Sequence, residues 1–152
     1  MPPKRKKKNE INLNYKLIDF SILKFEMNEP PVKITKKTKN NWLFGSKINA
    51  VEEKDELQIF IKAKNEILVN KEPFLLSSFE ARSIFEIANI SDFMINEDTV
   101  DFPKDFLKMC FGITYSTSRG AILTLMGTKV KNKDFMLPMI NPEYLLPEEV
   151  EA

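Results

Sequence analysis

Apolar residues alternate with polar ones through much of the stretch from residue 17 to residue 87. The clearest case is Leu57, Ile59, Ile61 and Ala63 on one parity, with Gln58, Lys62 and Lys64 on the other. A period of two sends successive side chains to opposite faces of a strand, so these residues line a strand with one buried and one wet face. The stretch from Leu17 to Met27 alternates too, but its parity changes part-way. Ile18, Phe20 and Ile22 hold one phase and Leu23, Phe25 and Met27 the other, with Asp19, Ser21, Lys24 and Glu26 between them. One extra residue at Ile22-Leu23, a β-bulge or a sheet-crossing bend, returns both sets to one face. From Trp42 to Val51, Phe44, Ile48 and Ala50 oppose Lys47 and Asn49. In a long fourth strand, Leu75, Phe79, Ala81, Phe85 and Ile87 oppose Glu80, Arg82 and Glu86. Pro30-Pro31 ends the first strand, because neither donates to a ladder, and a crossover follows to about Asn41. Glu52-Glu53-Lys54-Asp55 and Asn70-Lys71-Glu72-Pro73 read as turns. Strands separated by such short turns form an antiparallel meander.

The pattern changes after Asn89. Asp101-Phe102-Pro103 opens a helix, with Pro in the first turn where its missing N–H costs nothing, and Arg119-Gly120 closes it. Phe106, Leu107, Cys110 and Ile113 form its apolar stripe. Gly112, Ser116 and Gly120 recur every fourth residue on another stripe. A glycine inside a helix costs about 1 kcal/mol relative to Ala, which close approach of a second helix would offset. The expectation is helix–helix contact, as across a symmetry axis. The segment from Phe135 to Leu146 is apolar but broken by Pro138 and Pro142, which leaves room for a short terminal helix at most. The resulting class is α+β: a four-stranded antiparallel sheet with one main helix and a short C-terminal helix on one face.

Much chemistry is absent. The chain has no His, which removes imidazole triads, proton shuttles and the commonest transition-metal ligand. Its 4 glycines are scattered, so no phosphate-cradling loop is formed. Glu52-Glu53 and Glu148-Glu149 lie in a turn and a polar tail, where carboxylates are solvated. Cys110 is the only cysteine; it stands on a helical stripe as a core residue, and it fits a reducing compartment, the cytoplasm. No run reaches the 18 or more apolar residues of a membrane span, and residues 9–15 are too polar for the apolar core of a signal peptide. The reading is therefore a non-enzymatic protein with no cofactor and no metal. Lys plus Arg number 23 against 22 Asp plus Glu, and the imbalance is local, in Lys4-Arg5-Lys6-Lys7-Lys8. Residues 1–10 read as a disordered basic tail, 11–147 as the folded domain and 148–152 as a short acidic tail.

What is abundant is Phe (12) and Met (7). Such side chains re-pack around varied apolar partners, although an ordinary core uses them too. Several stretches resemble the SecB-like protein-export chaperones. Leu23-Lys24-Phe25-Glu26-Met27-Asn28-Glu29-Pro30-Pro31 is similar to the end of that family's first strand and its crossover, and Ile84-Phe85-Glu86-Ile87-Ala88-Asn89 to the end of its fourth. Phe102-Pro103 and Ser116-Thr117-Ser118-Arg119-Gly120 resemble the borders of its main helix. Leu137-Pro138-Met139-Ile140-Asn141-Pro142-Glu143-Tyr144-Leu145-Leu146 resembles its closing segment.

The resemblance implies an ATP-independent holding chaperone that binds unfolded or pre-secretory polypeptides in apolar grooves, for export or, as in toxin–antitoxin systems, for protection of an antitoxin. It implies a homotetramer built as a dimer of dimers, with Phe106, Cys110, Gly112, Ile113, Ser116 and Gly120 of the helix at the oligomer interface. Phe25, Met27, Trp42 and Phe44 near the crossover, with Leu137 and Met139 in the closing segment, would line the client groove, where core packing is an equal alternative. Glu26 matches a carboxylate that family members present to the export motor ATPase, whereas Ser78 stands where the fourth strand would carry another. The competing reading is a nucleic-acid-binding protein that uses Lys4 to Lys8 as a phosphate-contacting arm.

Overall fold

The computed structural model describes residues 13–33, 35, 38–96, 99–126, 138 and 140–146. Four strands build one antiparallel sheet: β1 (Tyr15–Met27), β2 (Asn41–Val51), β3 (Glu56–Val69) and β4 (Glu72–Ile87). Their order is β1-β4-β3-β2. The short turns therefore join only β2, β3 and β4 as a meander, and the crossover carries the chain from one edge of the sheet to the other.

Both turns take left-handed backbone at polar residues. Asp55 has φ 55° after a 3-10 turn over Glu52–Lys54, and Asn70 and Lys71 have φ 54° and 69°. Two consecutive positive φ values give a turn whose twist matches that of the flanking strands.

The expected slip in β1 is present, as the register shifts between Ile22 and Lys24. A second shift lies between Leu17 and Asp19, where two adjacent apolar residues hide it from the alternation. A third, between Asn65 and Glu66 of β3, corrects the reading of β4. Phe74 pairs with Ile67 and Leu75 with Glu66, so Leu75 shares the polar face; Leu76 is the extra residue and Ser77 resumes the inner face opposite Asn65. Asn28 pins this bulge, its N–H donating to the Leu76 carbonyl and its Nδ2 to that of Leu75.

After β4 a 3-10 turn (Ile90–Phe93) leads into a two-stranded ribbon of β5 (Met94–Asn96) and β6 (Thr99–Val100), which the alternation did not signal. Phe93 and Phe102 stack with centroids 5.0 Å apart and seat the start of the main helix, α1 (Lys104–Met126). The helix thus runs six residues beyond Gly120. Ile122 and Met126 continue its buried stripe, and burying each is worth about 1.5–3 kcal/mol, more than one interior glycine costs. A 3-10 turn over Pro142–Leu145, capped by Asn141 accepting from the Glu143 N–H, is the short C-terminal element.

Helix α1 lies across the inner face of the sheet. Phe106 meets Tyr15 edge-on, Thr114 Oγ1 stands 2.8 Å from Ser83 Oγ, and Tyr115 packs edge-on against Phe44. Leu57, Ile59, Ile61, Ala81, Phe85, Leu107, Cys110 and Phe111 form the centre of the core.

Candidate functional site

Strand register decides which side chains share a row on the inner face. One row runs Phe25, Phe79, Ala63, Phe44; the next runs Met27, Ser77, Asn65, Trp42. The four strand residues expected to line a groove therefore stand at the two edges of adjacent rows. Small or polar residues fill three of the four central places between them. Phe79 is buried, while Phe25, Met27, Trp42 and Phe44 are half-buried. Trp42 and Phe44 stack with centroids 6.1 Å apart.

The last turns of α1 close over these rows. Ile122 and Met126 join Phe25, Trp42, Ser77, Ser78 and Phe79 around a cleft of about 10 Å³, room for a single water. That cleft is too small for a side chain, and the flank of the rows is the more open apolar surface. Leu123 and Leu125 on the same helical turns are exposed, whereas Leu43 on β2, 46% exposed, lies on the outer face opposite Lys64. Leu137 and Met139 lie outside the described residues. Between them the Pro138 carbonyl accepts a hydrogen bond from Tyr115 OH, and after them the Leu145 carbonyl accepts one from Ser46 Oγ. The closing segment thereby runs beside β2 and Phe44.

The helix residues expected at an oligomer interface fall into two sets. Phe106 and Cys110 are buried against this chain's own sheet. Gly112, Ile113 and Ser116 instead line a shallow depression of about 650 Å³ on the solvent side, with Asp105, Lys108, Met109, Thr117 and Pro142. Gly120 is exposed further along. Burial pushes the Cys110 thiol up to about 12, so at neutral pH it is no nucleophile. Among the described residues no three His, Cys, Asp or Glu are placed to hold a metal ion, and no helix is long and apolar enough to cross a membrane.

The outer face is charged. Glu26 lies beside Ser78 in the β1–β4 register and accepts a 3.0 Å hydrogen bond from Asn28 Nδ2. The basic run Lys4 to Lys8 and both tails lie outside the described residues.

Sequence reasoning placed Ala63 on the inner face but missed Ser77 and Asn65 between the edge residues, since small or polar residues give no apolar signal, and Ile122 and Met126, which lie beyond the glycine taken as the helix end.

No family model matches the chain, nor does any curated protein. Solved structures do match. One is the SecB-like chaperone Rv1957 of Mycobacterium tuberculosis, in complex with a ChAD peptide from the antitoxin HigA1. It covers 83% of this chain and 90% of its own, with a TM-score of 0.56 at 13% identity. The fold is SecB-like. A protein of unknown function from Streptococcus agalactiae also matches, over 85% of this chain and 100% of its own, at 10% identity and a TM-score of 0.46.

Proposed function

We propose that the protein is a non-catalytic holding chaperone that captures extended apolar segments of unfolded polypeptides, without ATP. The observation that carries this reading is the pair of adjacent rows with aromatic or Met side chains half-buried at the sheet edges. Such residues in a finished core are covered; here they leave apolar area at the flank, where an incoming segment recovers its burial. The SecB-like fold and the antitoxin peptide held by the mycobacterial protein support an antitoxin as the dedicated client. An export role has less support, because the outer face offers Glu26 without a carboxylate at Ser78. The small-residue stripe of α1 is assigned to a homotetrameric, dimer-of-dimers assembly in the cytoplasm.

The test is light scattering from a slow-folding client diluted out of denaturant, with and without the protein and with no nucleotide. Near-complete suppression at a small molar excess is expected, with a several-fold loss for the Trp42→Ala/Phe44→Ala variant. An unchanged scattering trace for the wild type sinks the reading.

A further inference from the structure

The two edges of the sheet are built differently. β1 breaks register twice, at Ile18 and at Leu23, and each bulge twists an edge away from an incoming strand. β2 pairs with β3 in unbroken register from Asn41↔Glu66 to Val51↔Glu56 and contains no proline. Natural sheets usually blunt so long and regular an edge. Among the described residues the backbone of β2 hydrogen-bonds only to β3, so no described residue pairs with its outward N–H and C=O groups.

Charge separates the edges as well. On the β1 side, two of three cations of the outer face have carboxylate partners, Lys16 Nζ 3.7 Å from Glu86 and Arg82 3.6 Å from Asp19, while Lys24 makes no ion pair among the described residues. On the β2 side the outer face carries Lys47, Lys62 and Lys64, and none of them makes an ion pair among the described residues. Lys47 sits 4.8 Å over the Phe60 ring. Gly45 is the cross-strand neighbour of Lys62, and nothing lies within 4 Å of where its Cβ would stand. The missing side chain leaves Lys62 a clear path to the edge. The inward side chains of the same strand include Trp42, Phe44 and Ile48.

We propose that the free edge of β2 takes a client segment as a fifth antiparallel or parallel strand, and that the preferred segment alternates apolar with acidic residues. Strands lie about 4.8 Å apart and send alternate side chains to opposite faces. The inward residues of an added strand therefore extend the Trp42 and Phe44 rows, and its outward residues meet Lys47 and the space over Gly45. Backbone pairing supplies affinity for any extended chain, and the lysines select acidic ones. The inference rests on the client-binding reading and adds the edge, the backbone mode and the charge of the segment.

The test uses the full chain and two synthetic peptides, one alternating Val with Glu and the other Val with Lys. Hydrogen exchange followed amide by amide is expected to show new protection across Asn41–Val51 with the Glu peptide, and none along Tyr15–Met27. Trp42, the only tryptophan, reports the same event by fluorescence. Affinity for the Glu peptide is expected to exceed that for the Lys peptide about tenfold at low salt, a gap that salt narrows. Lys47→Glu/Lys62→Glu reverses the order, and N-methylation of alternate Glu-peptide amides abolishes binding without any change to the protein. Equal affinities, indifference to N-methylation, or protection confined to β1 overturns the proposal. So does protection of the β2 amides in the free protein with a doubled mass, which means a second copy holds the edge. Suppressed client aggregation without β2 protection removes strand addition and leaves the chaperone reading standing; loss of both removes both.

Discussion

The two ends of the inner face use the same kinds of residue and finish differently. Under the first turns of α1, Phe85, Ile87, Phe93, Phe102, Phe106 and Phe111 are buried, while Tyr15 and Leu17 on the β1 edge of that end are exposed, at 42% and 41%. Under its last turns Phe25, Met27, Trp42 and Phe44 stay half-buried, and Leu125 above them is 54% exposed. Within a single row the contrast recurs: Phe79 on a central strand is buried, and Phe25 and Phe44 on the edge strands are not. Place in the sheet, more than residue type, separates core from candidate groove.

That contrast is open to a direct break. Phe85 is 1% exposed, and Phe85→Ala is expected to cost about 3–5 kcal/mol, since the removed ring leaves a cavity that a close-packed centre cannot fill. Urea unfolding measures it. Phe44→Ala removes the same ring from the half-covered end, where solvent already reaches the site, so its cost is expected to be less than half as large. Its main effect is expected in client capture. Equal losses of stability would place Phe44 in the core and take away the groove.

A smaller effect distinguishes the ends by pH. Burial raises the Cys110 thiol from 9.0 to about 12, and burial raises the Tyr115 hydroxyl from 10.0 to about 12 against the opposing pull of Arg119. Each group keeps its proton in the folded state and sheds it sooner in the unfolded chain. The unfolded state therefore binds fewer protons above about pH 9, and stability falls as pH rises from there towards 12. Each fully shifted group adds about 1.4 kcal/mol of loss per pH unit. The urea midpoint is expected to be level from pH 7 to about 8.5 and to drop beyond. Cys110→Ala flattens the first part of the drop, and an unaltered slope would mean that the thiol is not sealed beneath the helix.

Legibility in the sequence followed the same geometry. Alternation exposed the four strands and the slip at Ile22-Leu23, because polar residues punctuate both phases there. It missed the bulge at Ile18 and the one at Leu76, where Leu17-Ile18 and Phe74-Leu75-Leu76 leave no polar residue to mark a change of face. Gly120 carried a local stop signal that the tertiary burial of Ile122 and Met126 overrode. The edge aromatics came from resemblance, and only register showed that Phe25 with Phe44 and Met27 with Trp42 share rows. The grouping of Lys47 and Lys62 around Gly45 was invisible for the same reason, since they come from different strands.

The smallest expected effect tests the two ends of the helix by adding one methyl group. An alanine Cβ at Gly112 would stand 3.2 Å from Pro142 Cγ, so the turn over Pro142–Leu145 must give way by a few tenths of an ångström. At Gly120 nothing lies within 4 Å of the added Cβ. Both substitutions gain about 1 kcal/mol of helix propensity, which crowding against the proline offsets at Gly112 alone. Gly120→Ala is therefore expected to raise the urea midpoint of the isolated protomer and Gly112→Ala to leave it near the wild-type value. Mass measured by light scattering supplies the second readout. If the stripe through Gly112, Ser116 and Gly120 carries the assembly, Gly120→Ala stabilises the protomer yet shifts the population to smaller species, because the new methyl group keeps a second helix from approaching. A stabilised protein of unchanged mass would take Gly120 out of the interface.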